Sequence, residues 1–137
     1  MSQRNIRLFF TTGLLLLSMF AFGFAGDRAR PNWDSFGKQL VIALNTPNTG
    51  LQVSAMQRII QYADSLDIYG ARYAVMDIFL KSENAHIRRL ALVTLNKINS
   101  RFDLGYLQLH YPYEKDTMIK KHIAAVLLDA GWNVPGQ

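Results

Sequence analysis

His86, His110 and His122 are the three histidines of the chain, and no cysteine accompanies them. Zero cysteine removes thiolate metal sites, a cysteine nucleophile and a disulfide scaffold. Glu83-Asn84-Ala85-His86 has the Glu-x-x-His spacing that places two metal ligands on one helical face in di-iron bundles. The chain holds one copy only, and Ser82-Glu83-Asn84 reads as a turn, so His86 is expected to be exposed at a helix start. His110 and Glu114 bracket Pro112, which is expected to divide them between a helix end and a loop, off any common face. His122 follows Lys120-Lys121, whose charges repel a metal ion. No Gly-x-Ser-x-Gly elbow and no phosphate-cradling glycine loop is present. Gly105 stands alone inside a helical pattern, where close packing accounts for it. The expectation is a non-catalytic protein without cofactor or metal. The alternative is a small helical enzyme or ligand-binding bundle whose site is assembled from sequence-distant residues.

Two groups of residues are suited to recognition instead. Arg88-Arg89 and Lys120-Lys121 recur at matching places in two helical segments. If those segments lie side by side, the four charges align about 10 Å apart on one ridge that steers an acidic partner or an anionic head group. The competing reading is a solvated face, with the arginines paired to acids such as Glu83 and Asp116. Around Pro112 stand Tyr106, His110, Tyr111 and Tyr113, with Tyr106 and His110 on one helical face at i, i+4. Tyrosine buries area while keeping a polar tip, which suits a recognition surface and a bulky core equally.

These residues sit in a chain of 137, of which 50% are hydrophobic and 18% charged. Such a length gives one domain, and such a composition a folded one. Residues 1–25 read as an export signal. Arg4 and Arg7 lead an uncharged stretch from Leu8 to Phe24, and Gly23-Phe24-Ala25 supplies small residues at the −3 and −1 positions of a cleavage site. The alternative is an uncleaved membrane anchor, since residues 8–24 approach the length that spans a bilayer. Export to the periplasm or another extracytoplasmic space makes nucleic acid an unexpected partner, despite the formal charge of +5.

From Asn32 onward apolar residues recur at three and four, never in strict alternation. The spacing predicts helices over about 33–45, 50–66, 69–82, 85–98, 102–111 and 116–130. Asn32 is expected to cap the first, Pro47 and Pro112 to end segments, and Gly131 to supply a left-handed cap. The expected stripes are Phe36, Leu40, Val41 and Leu44 in the first helix, and Tyr73, Met76, Phe79 and Leu80 in the third. Leu51, Ile87 and Ile119 anchor three similar ladders, roughly 34 residues apart. Four residues on stand Ala55, Ala91 and Ile123, and eight residues on Ile59, Leu95 and Leu127. The expected unit is a helical hairpin, repeated about three times and stacked, with Trp33 and Trp132 covering the two ends.

The middle copy carries a family resemblance. Ile87, Arg88, Ala91 and Leu95 match an apolar anchor followed by arginine, alanine and leucine, which resembles the second helix of a HEAT repeat. Ile119, Lys120, Ile123 and Leu127 form a looser copy, and Leu51, Gln52, Ala55 and Ile59 a copy without the basic residue. The resemblance implies an all-α fold: a short α-solenoid of about three hairpins over residues 26–137, preceded by the signal helix. It also implies a binding scaffold. The expected partner is another protein of the cell envelope, met by a chain that is monomeric alone. The membrane would be touched only through residues 8–24, if the signal is retained.

Overall fold

A computed structural model of the protein describes residues 31–136, and the export segment read at 1–25 lies outside them. The described chain is all-helical, with six α-helices packed against each other. They are α1 (Trp33–Leu44), α2 (Thr49–Gln61), α3 (Arg72–Lys81), α4 (Ala85–Ile98), α5 (Arg101–His110) and α6 (Thr117–Asp129). A 3₁₀ turn, Tyr69–Ala71, leads into α3, and another, Tyr111–Tyr113, follows α5. Consecutive helices pair as α1–α2, α3–α4 and α5–α6, and α4 also packs on both α2 and α6.

Local chemistry sets these boundaries. The amide groups of a first helical turn lack intrahelical acceptors, and a short polar side chain supplies one. Asn32 accepts from the Ser35 amide at 3.0 Å, as its position predicts. Asn48 accepts from Leu51 at 3.1 Å, Asn84 from His86 at 2.9 Å, and Asp116 from Met118 at 2.8 Å and Ile119 at 3.0 Å. Asn48, Asn84 and Asp116 each stand three residues before an anchor, so the capping position recurs with the ladder.

The residue after each anchor recurs in role as well. Gln52 Nε2 donates to the Leu44 carbonyl at 3.3 Å, Arg88 Nε to Phe79 at 3.1 Å, and Lys120 Nζ to Pro112 at 3.4 Å. In each hairpin a long polar side chain of the second helix reaches back to a carbonyl at the end of the first. Those carbonyls are among the groups a helix leaves unpaired at its C-terminus. The basic residue is therefore a fastener within its hairpin, and glutamine serves the same end in the first.

Burial follows the ladder in its middle and departs from it at the start. Ala55, Ala91, Ile123, Ile59, Leu95 and Leu127 are all buried. Ile119 is buried, Ile87 half-buried and Leu51 exposed, contrary to the expected common anchor. The covering elements differ: α6 packs on α4, α5 and the Tyr111–Tyr113 turn, whereas α2 packs chiefly on α1 and α4. In α3 the core takes Ala74, Val75, Ile78 and Phe79, while Tyr73 and Leu80 face solvent, correcting the expected stripe. Small residues at Ala74 and Val75 suit the extensive packing of α3 on α4.

One helix end differs from the sequence expectation, and one is as expected. The chain leaves α2 at Tyr62 rather than near 66, and Leu66 folds back into the core. Tyr62 then closes an aromatic group with Trp33 and Phe36, at ring-centroid distances of 5.4 and 6.0 Å. At the other end Gly131 adopts φ 77°. Trp132 N–H donates to Leu127 at 2.8 Å and Gly131 N–H to Leu128 at 3.0 Å, a Schellman closure of α6. No helix of the described residues is long and apolar enough to cross a membrane.

Candidate interaction surface

Helix α5 carries its bulk on the wrong side for a core. Phe102, Tyr106, Leu109 and Tyr113 are 64%, 39%, 75% and 79% exposed. The i, i+4, i+7 spacing of the first three puts them within one narrow stripe of α5, and Tyr113 follows in the 3₁₀ turn. The opposite side of the same helix supplies the buried Asp103, Leu104 and Leu107. Tyr69, Tyr73 and Leu80 form a similar exposed line along α3 and its leading turn. The two lines adjoin: the Arg72 guanidinium of α3 lies 5.5 Å from the Phe102 ring of α5, and Phe79 meets the His110 ring edge-on at 5.8 Å. Scattered exposed apolar residues are ordinary, whereas lines of them on helices that meet make this face the candidate interaction surface.

Sequence reasoning singled out four members of this region, and their placement is mixed. Tyr106 and His110 do share a face, with rings stacked 6.1 Å apart at 14°. Tyr113 is open to solvent, and Tyr111 is half-buried against the core. Phe102 and Leu109, the other half of the stripe, went unremarked, although their spacing to Tyr106 and Tyr113 is legible in the sequence. So did the α3 line, because Tyr73 and Leu80 were assigned to the buried stripe.

The expectation that Pro112 divides His110 from Glu114 is overturned. Pro112 occupies the first turn of the 3₁₀ segment, where its missing N–H has no partner to lose. The helical path continues for another turn and brings Glu114 Oε2 to 3.3 Å from His110 Nε2. Glu114 also takes both terminal nitrogens of Arg88 and the Asp116 amide, at 2.9 Å. Burial works to raise its pKa. The Arg88 hydrogen bonds, the Asp116 amide, the Arg88 charge and the His110 contact outweigh burial and lower it to about 2.

That junction dissolves the expected ridge of four free cations. Arg88 turns inward, 4.9 Å over the Phe79 ring, and pairs with Glu114 rather than with Glu83 or Asp116. Arg89 contacts the His86 ring, and Lys120 lies 5.0 Å from the Tyr111 ring centroid while donating to Pro112. Lys121 is exposed. Asp116 is occupied as a helix cap. Equal offsets after the anchor therefore align fasteners rather than a solvent-facing charge row.

A polar cluster at the other end of the α3–α5 seam was not foreseen. Arg72 donates to the Tyr69 hydroxyl at 2.6 Å, to the Tyr73 hydroxyl, and to Ser100 Oγ at 3.2 Å. Its guanidinium carbon lies 4.4 Å from the Tyr69 ring centroid and 4.3 Å from that of Tyr73. Ser100 precedes α5 as a capping residue, yet its hydroxyl makes no cap. Beneath it lies Asp103, 1% exposed, whose Oδ2 has no hydrogen-bond partner. Burial pushes the Asp103 carboxyl upward, opposed by a hydrogen bond from Ser100 and by the Arg72 charge.

A cleft of about 510 Å³ beside α1 is lined by Trp33, Val41 and Ile42, and its polar members Asp34, Lys38 and Asp67 are all exposed. Among the described residues, no three histidine or carboxylate side chains gather closely enough to hold a metal ion. No protein-family model matches the chain, and neither a curated protein nor a solved structure does.

Proposed function

We propose that the protein is an exported, non-catalytic binding module that docks another protein of the cell envelope on the aromatic face of α3 and α5. The observation that carries this reading is the exposed line Phe102, Tyr106, Leu109 and Tyr113. Aromatic side chains supply large contact area at low entropic cost, and tyrosine leads at interfaces for that reason. The finer architecture proposed for the module is a short α-solenoid of three stacked hairpins. Its support is the recurrence of cap and fastener through Asn48, Asn84 and Asp116 and through Gln52, Arg88 and Lys120. A stack of this kind holds its surface rigid, so docking costs little ordering entropy. Export rests on the residue pattern of 1–25.

Photo-crosslinking in the source cells tests the docking face. A benzophenone side chain placed at Leu109 or Tyr113 is expected to give one discrete adduct in the envelope fraction. The same group at Lys97, exposed on α4, is expected to give none. Adducts of equal yield from all three positions, or none from any, would overturn the proposal.

A further inference from the structure

The Arg72 cluster has the form of a binding seat already filled by the chain itself. Tyr69, Tyr73 and Phe102 are exposed rings on three sides of one cation, at 4.4, 4.3 and 5.5 Å. Ring faces attract cations, and the attraction suits a flat guanidinium that stacks and donates at once. Two phenol oxygens accept N–H groups of the bound guanidinium, so the seat fits a planar donor fork better than a compact ammonium. Arg72 also has another place to go. Its NH1 group already reaches Ser100 Oγ, three residues before Asp103 in the chain, and its charge acts on the Asp103 carboxyl. Asp103 Oδ2 is buried without a partner. An arginine that left the rings for Asp103 would satisfy an acceptor that is otherwise costly to leave unpaired.

We propose that Tyr69, Tyr73 and Phe102 form a guanidinium seat, held by Arg72 in the free protein and taken by an arginine side chain of a protein partner on docking, with Arg72 then turning to Ser100 and Asp103. The exchange leaves each guanidinium with partners: the incoming arginine has ring faces and phenol acceptors, and Arg72 has the Asp103 carboxylate. Such a seat makes binding selective, because a partner with lysine at that point lacks the fork and the flat face. The proposal rests on the α3–α5 face being a docking surface.

Titration of the full chain with ethylguanidinium chloride tests the seat without any partner, read from the ring resonances of Tyr69, Tyr73 and Phe102. Wild type is expected to bind weakly and saturably, with the Asp103 side-chain carboxyl resonance moving in step. Arg72→Ala empties the seat and is expected to bind about tenfold tighter or more, since a site open a tenth of the time loses that factor in apparent affinity. Ethylammonium is expected to bind Arg72→Ala several-fold more weakly than ethylguanidinium. Combining Arg72→Ala with Tyr73→Ala should abolish the gain, and far-UV circular dichroism checks that both variants fold. The seat is refuted by absence of a saturable response in wild type, by Arg72→Ala binding no tighter than wild type, or by a double variant as tight as the single. Such a result leaves the crosslinking test of the docking face standing, and failed crosslinking leaves this titration intact.

Discussion

Glu114 accepts from both terminal nitrogens of Arg88, and its side chain retains 6% of its exposure against 17% for Arg88. A carboxylate lowered from 4.5 to about 2 is bound more tightly as an anion in the folded chain than in the unfolded one. The linkage has a definite sign. Its contribution, about 3 kcal/mol, is whole above pH 4.5 and fades as pH falls toward 2. Glu114→Gln keeps the shape, removes the charge and leaves a half-buried arginine unmatched. It is expected to cost about 2–4 kcal/mol at pH 7, which lowers the midpoint of a domain this size by about 10–20 °C. Urea unfolding across pH 7 to 2.5 checks the sign as well as the size. The gap between wild type and Glu114→Gln should narrow below pH 4.5, and a gap that stays constant would refute the assignment. The pairing was invisible to sequence reasoning because the partner of Arg88 lies in another hairpin, beyond a proline that reads as a break.

Gly105 and Gly131 make opposite demands on their helices, and one methyl group separates them. Gly131 holds φ 77° at the end of α6, with nothing within 4 Å of an added Cβ. The loss in Gly131→Ala is then purely one of backbone conformation, expected at about 1–2 kcal/mol. A Cβ on Gly105 would meet the Trp132 ring at 3.8 and 3.9 Å, ordinary contact distances. Close packing does not require glycine there, and Gly105→Ala is expected to stabilise by about 0.5–1 kcal/mol through helix propensity. Urea midpoints measure both, and destabilisation by Gly105→Ala would show that the indole cannot yield. Elements like these were legible where a single local rule governs them. Asn32, Asn84 and Gly131 mark helix ends by their own chemistry, and α4 spans 85–98 as the spacing predicts. Periodicity alone left open which of two stripes on α3 and α5 turns inward. A helix with aromatics on one side and small aliphatics on the other offers two apolar faces, and the neighbouring helix decides between them. The exposed line on α5 was therefore only half read, and the Arg72 seat was missed because its rings come from two hairpins.

At the scale of the molecule, α4 is the element on which the rest depends, for it touches α2, α3, α5 and α6. Its joints differ in kind. Toward α2, whose buried residues are Ala55, Met56 and Ile59, it packs helix on helix. Toward the last hairpin it adds polar ties, Arg88 to Glu114 and Asn96 Nδ2 to Asp129 Oδ2 at 2.7 Å. In an array of hairpins each unit is stabilised chiefly by its immediate neighbours, so local damage should stay local. Native-state hydrogen exchange gives that idea a measurable form. In wild type the slowest amides are expected in α4, around Ala91, Leu92 and Leu95, and faster ones in α1. Glu114→Gln severs a joint between the middle and last hairpins, so amides of α5 and α6 should quicken by tenfold or more while those of α1 and α2 change little. A protein that opened only as a whole would show one common increase everywhere. That pattern would mean the six helices form a single cooperative bundle, and the surface on α3 and α5 would then owe its rigidity to the entire core rather than to hairpins set in register.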